Sequence, residues 1–292
     1  MPAPIMPQNP AFLCIGEQRC GTTWLYHALR RHPQIWLPPL KATRYFVRTS
    51  DKSLMATIAR NRDLVELRKM HRLLRRRQVT LSNLTWFVRY YCMPRNDGWY
   101  ASLMRPPPGR MSGEICHAYS GMTDAQLRGM RDGFPDLKLV YVLREPLARS
   151  WSGLARRLQA RHGQTIDADW DTEKLLGLLR DTGAIEKSSY SNAIERLFEV
   201  FPRDRLYIGF YDQLQDDPVG FLDDLCRWLN LGTYRQVVGE GPPAALASAA
   251  YPAMPSGVRA ALAKELEPST NRLCELLPNR YTNDWYENLA GR

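Results

Sequence analysis

Phe12-Leu13-Cys14-Ile15-Gly16-Glu17-Gln18-Arg19-Cys20-Gly21-Thr22-Thr23-Trp24 carries an apolar run into a Gly-x-x-x-x-Gly loop and on into residues of helical spacing. Glycines permit a tight turn that brings several N–H groups to one point. The helix that follows adds its unpaired N-terminal donors and the positive end of its dipole. The segment predicts a strand, an anion-binding loop and a helix, in that order. Trp24, Leu25, Ala28 and Leu29 keep the helical period, and the helix should close at His32-Pro33, because the residue before proline is pushed out of the helical region. In a nucleoside triphosphatase the second glycine would be followed by Lys and then Ser or Thr, the lysine reaching the β and γ phosphates and the hydroxyl holding magnesium. Here Thr22 takes the lysine position, and the nearest fixed cation is Arg19. The loop should therefore hold a phosphate ester of another kind.

A second anion site is expected where Leu137-Lys138-Leu139-Val140-Tyr141-Val142-Leu143 reads as a buried strand running into Arg144-Glu145-Pro146-Leu147-Ala148-Arg149-Ser150-Trp151-Ser152. Pro146 suits the first turn of a helix. Arg149 and Ser152, three apart, then share a face, while Arg144 sits at the strand's carboxyl end. A guanidinium and a hydroxyl can converge there on one phosphate. Arg149 taken alone reads as a solvated helix charge.

Together these segments resemble the sulfotransferase family, above all its bacterial and heparan-type branch. Arg19-Cys20-Gly21-Thr22-Thr23-Trp24-Leu25-Tyr26 is similar to the loop that binds the 5′-phosphosulfate end of 3′-phosphoadenosine 5′-phosphosulfate (PAPS). Arg-x-Pro-x-x-Arg-x-x-Ser is similar to the motif that binds its 3′-phosphate through the first Arg and the last Ser, here Arg144 and Ser152. Pro38-x-x-Lys41-x-x-x-Tyr45-Phe46, the segment Gly183 to Tyr190, the stretch Arg205 to Leu214 with the helix after Asp217-Pro218, and Leu266 to Leu273 extend the likeness over nearly the whole chain; between about Asp51 and Leu103 it fades to aromatic spots such as Trp86-Phe87 and Trp99-Tyr100. The resemblance implies a single α/β domain over residues 1–292, three-layered and P-loop-like. A central parallel sheet would hold the donor at its carboxyl edge, and a basic, aromatic helical insertion at about 51–105 would form part of the acceptor pocket. It implies PAPS as donor with no metal, donor contacts from Arg19, Cys20, Gly21, Thr22, Thr23, Trp24, Arg144, Ser152 and Tyr190, and acceptor contacts from Lys41, Tyr45, Phe46 and Trp86.

Sulfuryl transfer, like phosphoryl transfer, has an in-line, loose transition state, so positioning and cations do most of the work. Arg19 is the natural group to follow the bridging oxygen as charge moves toward the departing phosphate. No acid of Walker-B type and no metal-spaced His/Cys cluster is evident. The proton of the acceptor needs a destination, and here the chain departs from its relatives. Ala42 stands where the heparan-type branch commonly has a glutamate base, and Cys116-His117 replaces a hydroxyl-proline pair in Gly113-Glu114-Ile115-Cys116-His117-Ala118-Tyr119. His117 and Glu114 are both candidates for the base; an acidic acceptor such as a phenol would need little help. A catalytically impaired relative that binds PAPS or its product as a sensor or scaffold is the alternative that Ala42 raises.

At 292 residues the chain suits one α/β domain with insertions, and no apolar run is long enough for a membrane span. The start lacks signal-peptide character and the 6 cysteines are scattered, which fits reduced thiols and a cytoplasmic location. The net charge of +10 collects partly in Arg60 to Arg77, whose leucines keep helical spacing and predict a basic amphipathic helix beside the acceptor. No nucleic-acid recognition module is visible, so a small-molecule or glycan acceptor is the expected partner, with oligomeric state open. The stretch from Gly239 to Gly257, rich in Ala, Pro and Ser, is expected to form a lid over the adenosine.

Overall fold

The computed structural model describes residues 10–47, 81–163, 165–166, 170–239 and 251–291. The predicted basic helix at 60–77 and most of the predicted lid lie outside them. Among the described residues, β1 (Phe12–Gly16), β2 (Ile35–Trp36), β3 (Met111–Ile115), β4 (Lys138–Leu143) and β5 (Leu206–Phe210) form one sheet in the order β2-β3-β1-β4-β5. Every pairing is parallel. All of β1 and nearly all of β4 is buried, as continuous apolar strands covered on both faces should be.

The period of two along each strand divides the core. Phe12, Cys14, Val140 and Val142 point into one cluster, where α1 (Thr22–Leu29) and α9 (Pro218–Trp228) contribute Leu25, Leu29, Phe221 and Leu225. Leu13, Ile15, Leu139 and Tyr141 point into the other, with Leu127 of α4 (Asp124–Gly133), Ile194 and Leu197 of α7 (Ser191–Val200), Leu273 of α11 (Ser256–Leu276) and Trp285 of α12 (Arg280–Ala290). The result is the three-layer arrangement expected from the sequence. A third cluster packs α5 (Pro146–His162) against α6 (Thr172–Asp181) and α11 through Leu154, Leu158, Leu175 and Leu262. No helix among the described residues is long and apolar enough to cross a membrane.

The described part of the insertion is α2 (Leu81–Cys92) and α3 (Asp97–Leu103), which carry an aromatic core of their own. Trp86 stacks on Tyr90 at 5.1 Å between ring centres, and Tyr90 meets Trp99 at 5.7 Å. Trp86 and Tyr90 are four apart on one helix, so their rings share a face and close on each other. The indole N–H of Trp86 donates to the Leu103 carbonyl at 2.9 Å. Trp86 is therefore a core residue of the insertion and not the acceptor contact that its place in the sequence suggested.

Gly16 also serves another purpose than the turn. A Cβ there would lie 1.8 Å from Cε2 of Tyr141, so glycine is required by the ring that crosses the end of β1, beside a register shift between Cys14 and Gly16.

Candidate active site

The anion loop lies between β1 and α1, and the neighbouring strand β4 ends in Arg144, so both predicted anion sites meet at the carboxyl edge of the sheet beside the central strand. Arg19 and Gly21 take left-handed backbone with φ of 79° and 75°. For Gly21 this is inexpensive; for Arg19 it is strained, and it needs the surroundings to hold it. Gly21, the residue that precedes α1, has no side chain with which to cap the helix, and the first turn of α1 opens on the loop.

Arg19 Nε donates to Ser152 Oγ at 2.8 Å, and Nη2 donates to the hydroxyl of Tyr251. Ser152 Oγ lies 3.4 Å from the same phenol oxygen. Arg144 Nη1 donates to the Arg19 carbonyl at 3.0 Å, and its guanidinium lies 4.6 Å from the centre of the Tyr211 ring. Burial, reinforced by Arg144 and Arg156, pulls the pKa of Arg19 down, while Tyr251 works in the opposite direction. A guanidinium whose charged form is disfavoured by its neighbours is one that an incoming anion relieves.

The cation missing from position 22 returns in space. Lys41, in the loop after β2, donates through Nζ to Thr22 Oγ1 and Thr23 Oγ1, each at 3.0 Å. It hangs over the N-terminus of α1, where a P-loop lysine would reach from within the helix. Burial lowers its pKa to about 8.

Arg149 is not the solvated charge expected from its helix. It is 1% exposed, and four acceptors hold it: the Gln18 carbonyl at 3.2 Å, the Ala184 carbonyl at 2.8 Å, Ser188 Oγ at 3.2 Å and Glu17 Oε2 at 3.3 Å. The other oxygen of Glu17 accepts from Ser120, which also donates to the His117 carbonyl at 2.9 Å. A buried charge persists only when it is paired and hydrogen-bonded, and Glu17 and Arg149 meet that condition for each other. The pair holds the loop from behind. Cys20 and Tyr190 lie on this hidden side as well, with the Tyr190 hydroxyl donating to the Arg144 carbonyl at 2.9 Å. Trp24, at 9% exposure, packs with Cys20 in the core cluster under α1.

In the loop that follows β2, Ala42 and Arg44 have φ of 69° and 60°, two left-handed residues flanking Thr43. Glu114, 1% exposed, fixes this bend: Oε1 accepts the Thr43 amide at 2.5 Å, and Oε2 accepts the hydroxyls of Tyr100 at 2.9 Å and Tyr119 at 3.0 Å. The Tyr45 amide donates to the Tyr119 hydroxyl at 3.0 Å. Burial raises the carboxyl pKa of Glu114, opposed by these hydrogen bonds. With both oxygens engaged and no exposure, Glu114 is a brace, which corrects its place among the candidate bases.

His117 opens a short 3-10 turn (His117–Gly121) at the end of β3. Burial first, and then Lys41, Arg44 and Lys187, bring its pKa down to about 4, so the imidazole is neutral near pH 7 and can accept a proton. Tyr45 stacks on Tyr100 at 4.1 Å and donates to Asp97 Oδ1 at 2.5 Å; Phe46 meets Tyr100, Tyr119 and Phe134 edge-on. Both remain half-buried, joining the loop to the insertion's aromatic core.

Three participants escaped the sequence reading. Arg156 stands one turn beyond Ser152, a helical spacing that could have exposed it. Lys187 and Tyr251 lie in stretches the sequence pointed to, Gly183 to Tyr190 and Gly239 to Gly257, but nothing singled out the residues themselves. Among the described residues, no group of three His, Cys, Asp or Glu side chains is arranged to hold a metal ion.

Comparison with known proteins places these features in context. A profile described as the sulfotransferase family matches residues 10–235. Among solved structures, a sulfotransferase from Alicyclobacillus acidocaldarius is similar over 94% of this chain and 98% of its own, with a TM-score of 0.65 and 20% identity. A sulfotransferase domain of the Synechococcus PCC 7002 olefin synthase aligns over 79% and 76%, with a TM-score of 0.51 and 19% identity. A sulfotransferase from Mycobacterium avium aligns over 94% and 78%, with a TM-score of 0.52 and 14% identity. At such identities the likeness is one of fold. The comparison with curated proteins gives no match.

Proposed function

This chain belongs to the sulfotransferase family, and from that premise we propose that it moves the sulfuryl group of PAPS to a hydroxyl or amine of a small-molecule, natural-product or glycan acceptor, releasing 3′-phosphoadenosine 5′-phosphate. One observation carries the donor assignment: Arg19, Lys41 and Arg144 converge with the first turn of α1 at the carboxyl ends of two adjacent strands. The set consists of guanidinium, ammonium, hydroxyl and N–H donors, and the nearby carboxylate Glu17 is turned back into its pair with Arg149. That chemistry fits a nucleotide with two separate phosphate groups.

Each residue then has a share of the reaction. Arg144 and Ser152 would hold the 3′-phosphate, and Gly21, Thr22, Thr23 and the first-turn amides the 5′ end. Arg19 and Lys41 would balance the charge that builds on the bridging oxygen as the sulfur–oxygen bond breaks and its electron pair leaves with the phosphate. His117 would take the proton from the acceptor oxygen while that oxygen bonds to sulfur. After burial, Lys41 is the first of the cations that lower the pKa of His117, and it is one an incoming donor would neutralise, so donor binding would raise the basicity of the imidazole. Cys20, Trp24 and Tyr190 support the loop and the strand end from behind. Six unpaired cysteines support a reducing, cytoplasmic setting.

Calorimetric titration with 3′-phosphoadenosine 5′-phosphate, against wild type and Arg144→Ala and with ATP plus magnesium as control, tests the reading. Binding that weakens by about 10–100-fold in the variant, the worth of a charge-assisted contact of about 1.5–3 kcal/mol, is expected. Absence of bisphosphate binding, or a preference for ATP, would overturn it.

A further inference from the structure

One carboxylate at the carboxyl edge of the sheet takes part in no ion pair among the described residues. β5 ends at Phe210 and runs directly into α8 (Tyr211–Asp216), beside the end of β4, where Leu143 pairs with Phe210 and Arg144 follows. Asp212 Oδ1 accepts the indole N–H of Trp285 at 3.1 Å, and Oδ2 is buried with no hydrogen-bond partner among the described residues. Burial raises the pKa of this carboxyl, opposed first by the indole. A carboxylate one residue away from the ring under Arg144 repels an incoming phosphate, and costs affinity unless it holds something in place.

The preceding residue shows what it holds. The Tyr211 ring lies between the two anion sites: the Arg144 guanidinium sits 4.6 Å from its centre, and a Cβ on Gly21 would come within 3.1 Å of its Cδ2. The ring has no room to shift toward the loop, and its placement sets the face on which Arg144 rests. Trp285 fastens the residues on either side of it. The indole is 2% exposed and meets the Phe210 ring at 5.6 Å and 62°, while Phe210 stacks on Tyr281 at 5.1 Å. Helix α12 thus grips the turn from β5 to α8 twice, by ring contact at Phe210 and by a charge-assisted hydrogen bond at Asp212.

The C-terminal helices reach Arg144 by a second route. Ser269 Oγ of α11 accepts the Ser191 amide at 3.3 Å and lies 2.9 Å from Ser191 Oγ, and the preceding Tyr190 donates its hydroxyl to the Arg144 carbonyl at 2.9 Å. Backbone and guanidinium of one arginine are therefore tied to α11 and α12, which lie beyond the residues 10–235 that the family profile covers.

Resting on the donor reading above, we propose that Trp285 is a positioning residue for the 3′-phosphate: through Asp212 and the Tyr211 ring it holds the Arg144 guanidinium in the orientation that receives the nucleotide. It acts through Arg144 and not on the nucleotide itself. Its share is the side-chain freedom that Arg144 no longer has to give up on binding.

Calorimetric titration with 3′-phosphoadenosine 5′-phosphate compares wild type, Trp285→Phe, Arg144→Ala and the double variant. Phenylalanine keeps a ring against Phe210 and removes the N–H. Trp285→Phe is expected to weaken the bisphosphate about 3–10-fold, the order set by one side chain left unordered. Once Arg144 is alanine, the same change should weaken it no further. A merely structural role would lower affinity equally in both backgrounds; that result, or wild-type affinity in Trp285→Phe, overturns the proposal. Asp212→Asn keeps an oxygen for the indole and should bind the bisphosphate at least as tightly as wild type does. A loss there matching that of Trp285→Phe would make the charge responsible and not the latch, and overturns the proposal as well. Should Trp285→Phe fail to fold with its carboxylate stranded, Trp285→Phe combined with Asp212→Asn, compared with Asp212→Asn alone, takes its place. Wild type that binds no bisphosphate, or Arg144→Ala that binds it undiminished, would instead reject the donor assignment, so the two failures are distinct.

Discussion

Glu17 and Glu114 are buried to nearly the same degree, at 2% and 1% exposure, one in the anion loop and one behind the bend at Thr43, yet they are held by opposite means. Glu17 faces a guanidinium that is as buried as itself. Among the described residues no cation pairs with Glu114; a backbone amide and two phenols satisfy it. The anion loop is thus braced by charge against charge, which is costly to break. Neutral donors brace the bend at Thr43, where burial raises the pKa of Glu114 and leaves that bend easier to reshape. On the function proposed above, a shared nucleotide would demand the first kind of rigidity, while a variable acceptor would tolerate the second.

The comparison is open to attack, beginning with the largest effect. Arg149→Ala leaves the buried Glu17 without its cation, and should cost about 3–5 kcal/mol of stability by urea unfolding. Glu17→Gln in the same background should recover part of that loss. If Arg149→Ala proves milder than any change at Glu114, the contrast between the two braces fails. Arg19→Ala should lower kcat by about 10²–10³-fold with a smaller effect on unfolding, since it removes a charge partner of the transition state and not a buried one. A loss confined to KM would transfer Arg19 from chemistry to binding.

Glu114→Gln is expected to cost about 1–3 kcal/mol, because its amide can keep the Thr43 contact while the two phenols turn to accept. This variant also sharpens the pH contrast. The carboxyl pKa of Glu114 is raised by burial above its ordinary 4.5, so the folded chain binds that proton more tightly than the unfolded one. The stability it lends is present below the ordinary value and is lost as pH rises through the raised one. Urea midpoints of wild type should show that decline with rising pH, and Glu114→Gln should lack it.

The smallest effect is a shift on the pH axis. His117 is lowered from 6.5 to about 4, so its contribution to stability is present above 6.5 and lost as pH falls through about 4. The acid limb of kcat/KM for the free enzyme should accordingly lie near pH 4, and R44A or K187A should each move it upward. A limb unmoved by both variants would detach His117 from its cations.

What the sequence disclosed was whatever lies contiguous in it. Strand, loop and helix around Gly16 to Trp24, and strand, arginine and helix around Leu137 to Ser152, are each set by neighbours within a few residues, and the structure carries both. The order of the layers followed from the same runs. What stayed hidden depends on contacts that join distant segments. Nothing near Arg149 announces Glu17, 132 positions away, so its helical spacing suggested solvent. Lys41 was read as an acceptor contact because its proximity to Thr22 and Thr23 exists only after β2 has been placed at the sheet's edge. Trp86 misled for a related reason: an aromatic residue in an insertion suits a binding surface or a private core equally, and only Tyr90 and Trp99 decide between them.

Tyr251 gives the anion loop a resident. Its hydroxyl lies beside the hydrogen-bonded pair of Arg19 and Ser152, within reach of both, and the carbonyl of the next residue, Pro252, is fastened to the Trp151 indole at 2.8 Å. On the donor reading, nucleotide capture is then an exchange and not a filling: a phenol must leave before a phosphate can arrive. The apparent affinity is the intrinsic one reduced by the fraction of chains whose tyrosine has already withdrawn. Such a step makes the rate of capture level off at high nucleotide concentration, at the frequency with which the tyrosine lets go, so that a single side chain would set the tempo at which the enzyme reloads.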